Sequence, residues 1–66
     1  MDQPEPALRI GQRVEAILNE RNHTPHIGRI REVIWHSKDR QYHYYLEENG
    51  KKVSKRYSVA DLRSLG

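Results

Sequence analysis

The chain has 66 residues, 35% hydrophobic and 32% charged, which makes one small domain burying only about 60% of the surface its unfolded form would expose. It has no cysteine, which excludes a disulfide framework and cysteine-ligated zinc and favours an intracellular setting. Lys and Arg number 12 against 9 Asp and Glu, and with Asp2 and Glu5 set aside in an N-terminal tail the remaining chain is more basic still. A balance of that sign suits polyanions or acidic proteins as partners, or simply keeps a small domain soluble.

Residues 1–7 (MDQPEPA) read as a flexible tail, dispensable for the fold, and residues 8–66 as the domain. Acids and prolines stand in the tail where a secretory signal needs basic and then apolar residues, and no apolar run approaches membrane-spanning length. The expectation is a soluble cytoplasmic protein that makes no contact with membrane and is a monomer when isolated. After a turn at residues 8–12, residues 13–18 (RVEAIL) alternate as a strand with Val14, Ala16 and Leu18 inward, and Ile17 suits a second buried face. Residues 19–25 (NERNHTP) form a loop, expected to be the most exposed part of the domain.

The second strand starts near His26. Its inward set, Gly28 and Ile30 and then Val33 and Trp35, slips by one position, which calls for a bulge near Arg31 and Glu32. Residues 36–41 (HSKDRQ) turn the chain into residues 42–48, where Tyr42, Tyr44 and Leu46 share one face and His43, Tyr45 and Glu47 the other. Asn49-Gly50 marks a type I′ hairpin, since both residues accept positive φ. The returning arm, residues 51–57, has Val53 and Tyr57 inward and Lys52 and Arg56 outward as a solvated edge. Residues 58–62 (SVADL) suit one 3₁₀ turn, and residues 63–65 a last short strand. The sum is an all-β, five-stranded small barrel, partly open, with a 3₁₀ turn before the last strand.

Gly11 to Ala16, Gly28 to Val33, Tyr42 to Leu46, Asn49-Gly50 and the closing Val59 to Arg63 together resemble the SH3-like small barrels, nearest to the Tudor and Agenet pattern. The same layout is similar to the small SH3-like accessory subunits of photosynthetic electron transport. The resemblance implies the barrel fold and a binding role, with methylated peptides, nucleic acids or proteins as the classes of ligand. Tudor readers of methylated side chains build an aromatic cage, and here only a partial cage from Trp35, Tyr45 and Tyr57 is on offer, the segment after strand one having no ring.

From the residues themselves, an exposed Tyr45 beside Lys51, Lys52, Lys55 and Arg56 would make a stacking platform next to a charged track, with Arg29, Arg31 and Arg40 on neighbouring strands or turns. The plainer reading is that Tyr45 covers the sheet and the lysines solvate an edge. The functional expectation is a non-catalytic module contacting RNA or DNA through this basic hairpin; the alternative is an accessory subunit docking on an acidic protein partner or larger complex. His23, His26, His36 and His43 lack a zinc-ligand spacing and read as solvated surface residues, so no metal and no cofactor is expected. Ser37, Ser54, Ser58 and Ser64 have no recognisable nucleophile context, and no enzyme activity is expected.

Overall fold

The computed structural model describes residues 3–20 and 22–66; Met1 and Asp2 of the expected tail and Arg21 of the expected loop lie outside them. Five antiparallel strands, β1 (Arg13–Ala16), β2 (Ile27–His36), β3 (Gln41–Glu48), β4 (Lys51–Lys52) and β5 (Leu62–Ser64), form one sheet in the order β4-β3-β2-β1-β5. A single 3₁₀ turn, Val59–Asp61, precedes β5. The fold is all-β. With β4 and β5 at the two edges, the sheet stays open along its hydrogen-bonded ladder.

The long β2–β3 hairpin is the spine. Register runs from Arg29 opposite Glu47 to His36 opposite Gln41, and the shift between Ile30 and Glu32 is the bulge that the hydrophobic slip requires. It carries Ile30 and Val33 to the same face, where they meet Leu46 and Tyr44. Val14, Ile30, Tyr44, Leu46 and Tyr57 fill the core, with Leu8, Ala16 and Leu62 at its margin. At the start of β2 the backbone of β3 passes so close that a Cβ on Gly28 would overlap the carbonyl oxygen of Glu47.

Two expectations about chain course are corrected. Strand β1 ends at Ala16, where its partner β5 gives way to the 3₁₀ turn and the Ile17 N–H makes a last bond in register to the carbonyl of Asp61; Leu18 lies beyond the sheet and is 57% exposed, and Ile17 is exposed as well. The loop at residues 19–25 is exposed at its other described positions, but Asn22 is only 2% exposed, its backbone N–H donating to the Asn19 side chain. In the described part of the N-terminal segment, the Tyr42 hydroxyl donates to the Pro4 carbonyl, and Pro4, Glu5 and Ala7 line a shallow groove with Trp35 and Tyr42. Before β5, Asp61 turns back to accept hydrogen bonds from the Ser58 backbone N–H and hydroxyl, which closes the 3₁₀ turn.

Candidate functional site

Asn49 and Gly50 adopt φ of 53° and 78°, the positive values that a type I′ turn needs, and turn β3 into β4. The returning arm is not the continuous strand expected from its alternation. Lys52 pairs with Glu47, but the next bridge joins Tyr57 to Tyr44, five steps along the arm against three along β3. Two residues are thus in excess, and the chain sheds them by looping out at Ser54, Lys55 and Arg56, all exposed. The loop is pinned at both ends. Val53 donates its N–H to Leu46, and Tyr44 and Tyr57 exchange both backbone hydrogen bonds at 2.7 and 3.0 Å.

The cations of the candidate site divide into two groups. Lys52 is engaged, with Nζ 3.0 Å from Oε1 of Glu32 and 4.9 Å above the centre of the Tyr45 ring. Arg31 faces Glu47 at 3.7 Å, and Arg29 donates to the carbonyl of Gly11. Lys51, Lys55 and Arg56 are exposed on the looped arm, where Lys51 and Arg56 have no carboxylate partner among the described residues. The ammonium of Lys55 lies 5.8 Å from the Tyr57 ring. Arg40, with φ of 55°, sits in the β2–β3 turn and lines the groove beside Pro4, Trp35 and Tyr42, away from the basic arm.

An open groove runs between the arm and Glu48, lined by His26, Lys51, Ser54 and Lys55. Its acid is held charged: the His26 ring nitrogen 3.0 Å away and the N–H of Ile27 keep the Glu48 carboxyl below the usual carboxylate range. An anion entering the groove is therefore repelled from the Glu48 side and drawn to the outer rim of the arm.

The three rings of the partial cage do not converge. Trp35 stands opposite Tyr42 with ring centroids 4.9 Å apart on the core-side face, whereas Tyr45 alternates onto the opposite face. Tyr57 is 1% exposed in the core, where burial raises its phenol pKa. Nor is Tyr45 a bare platform, since it is half-buried under Lys52.

The histidines also depart from the expectation of four solvated rings. His43 is buried on the outer face of β3, packed 4.7 Å from His36 between ring centroids, with Asp39 of the intervening turn against both. Burial, with the positive charges of Arg56 and His36 adding to it, lowers the His43 pKa against the opposing pull of Asp39. Sequence reasoning missed this grouping because it counted spacing along the chain. The usable signal is the hairpin itself, which folds residues seven apart onto one face once its four-residue turn is known.

Among the described residues, no helix is long and apolar enough to cross a membrane. Neither a curated protein nor a solved structure matches the chain. The model of one family, described as "Family of unknown function (DUF6960)", matches residues 2–63, and the chain belongs to that family.

Proposed function

We propose that the protein is a non-catalytic binding module, an SH3-like barrel of Tudor-like pattern, whose looped arm at residues 51–56 contacts the phosphate backbone of RNA or DNA. The observation that supports it is the exposed arm, with Lys51 on β4 and Lys55 and Arg56 on the loop that Val53 and Tyr57 pin to β3. Phosphate contacts need exposed cations on a fixed scaffold more than they need a pocket. The strand order, with β1 lying between β2 and β5, suits the barrel reading.

Tyr45 and Lys52 would join the contact by exchange. An exposed ion pair contributes about 0–1 kcal/mol and an exposed ammonium over a ring about 0.5–1 kcal/mol, so a phosphate can draw Lys52 off Tyr45 at small cost. The uncovered ring then offers a stacking face to a base. The module would act in the cytoplasm as a monomer. Recovery of the tagged protein from lysate with and without nuclease tests the reading: nucleic acid should co-purify, and a recovered fraction with none in it would contradict the proposal.

A second reading, an accessory subunit on an acidic protein partner or larger complex, is favoured by a different observation. Ile17 and Leu18 are exposed beside Pro25 and Ala16 at the end of β1, next to Arg63. Apolar side chains rimmed by charge suit a protein interface more than a nucleic acid. In the same experiment, a stoichiometric protein that survives nuclease treatment would support this reading.

A further inference from the structure

We propose that His36, Asp39 and His43 form a binding site for a divalent first-row transition-metal ion of the zinc class. His36 closes β2 opposite Gln41, and His43 stands on β3 opposite Ile34, so their imidazoles are diagonal neighbours on one face of the hairpin. The intervening turn, with Arg40 at positive φ, brings the Asp39 carboxylate back over both rings. Its Oδ2 lies 3.1 Å from Nδ1 of His36 and 3.7 Å from Nε2 of His43, and one ligand atom from each residue falls within 4.8 Å of the others. Ligands bound tetrahedrally at about 2.0–2.1 Å stand roughly 3.3 Å from one another, so small side-chain rotations complete the set.

The cluster is anchored rather than a chance meeting of surface groups. The His43 side chain is 7% exposed, which fixes that ring against the sheet. Nδ1 of His36 is buried and makes no hydrogen bond among the described residues, even with Asp39 beside it. Asp39 faces this nitrogen at 3.1 Å without an aligned hydrogen bond, and a metal ion held between the two would lie in line with the ring lone pair. Two imidazoles and one carboxylate select zinc, copper, nickel or iron over calcium and magnesium, which prefer all-oxygen shells. Three protein ligands leave a further position open to solvent, and the charge of Arg56 near His43 opposes the cation and moderates its affinity. The competing account makes Asp39 only a counter-ion to the two rings, with no metal bound.

Calorimetric titration of the untagged protein with zinc chloride separates the two. The expected result is one zinc per chain, an accompanying rise in melting temperature, and weakening by about tenfold or more in each of Asp39→Asn and His36→Asn, given that even indirect partners of a metal site are worth 10–100-fold. Both substitutions lie at half-exposed positions of the turn region, and circular dichroism checks that they fold. His23→Ala, at a histidine outside the cluster, should bind as the parent does. Cobalt(II) gives a readout free of any variant, because bound at this site it should show the intensified visible band of a low-coordinate ion. An unchanged aqueous cobalt spectrum, zinc binding retained in both variants, or binding lost in His23→Ala would each overturn the proposal.

Discussion

Lys52 reaches from β4 across β3 to Glu32 on β2, its ammonium 3.0 Å from the carboxylate and lying over the Tyr45 ring on the way. One side chain thus ties three strands together on the outer face and covers the ring that a base would stack on. Alanine at Lys52, at Glu32 and at both should give a coupling of about 0.2–1 kcal/mol in urea unfolding, the range for exposed ion pairs. A coupling of zero would mean that Lys52 and Glu32 do not pair across β3.

Two glycines carry backbone geometry that no other residue meets cheaply. Gly28→Ala drives a Cβ into the Glu47 carbonyl and should cost about 1–3 kcal/mol as β2 and β3 are pushed apart. Gly50→Val puts a β-branched side chain at φ of 78° and should cost a similar 1–3 kcal/mol, through strain rather than collision. For a domain this small, either loss is a large share of total stability. Thermal melts of the two variants check both, and a melt within a degree of the parent would place the turn or the close approach elsewhere.

Acid should weaken the fold partly through Glu48. Its hydrogen bonds from His26 and Ile27 lower the folded-state pKa beneath the ordinary 4.5, so its stabilising contribution is complete above that value and is lost as pH falls through the lowered one. Glu48→Gln removes this dependence. Urea midpoints of parent and variant, measured from neutral pH downward, should draw closer below about pH 4.5, the ordinary Glu value. Parallel curves would show that the His26–Glu48 contact does not form.

The sequence made some of this legible because certain residues admit few conformations. Asn49-Gly50 announces positive φ, the slip from Ile30 to Val33 has no remedy but a bulge, and residues 58–62 are too few for more than one 3₁₀ turn. Other features depend on register, which alternation cannot supply. The looped arm follows from a two-residue mismatch between Lys52 and Tyr57 that appears only when both are paired with β3. Leu18 keeps the strand pattern but lies beyond the last rung of the β1–β5 pairing, the bond from Ile17 to Asp61. The cover on Tyr45 and the grouping of His36 with His43 likewise join residues on different strands.

The central claim, that exposed cations on the looped arm hold a phosphate backbone, meets its most direct test in titration of fluorescent single-stranded RNA at several salt concentrations. Parent protein is compared with Lys51→Glu, Arg56→Glu, whose sites are exposed and whose folding circular dichroism verifies. The account predicts binding that weakens steeply with salt in the parent, and a variant that binds weakly with a salt slope smaller by about 1.4, two phosphate contacts at roughly 0.7 each for a single strand. Equal affinity and equal slope for parent and folded variant would contradict it.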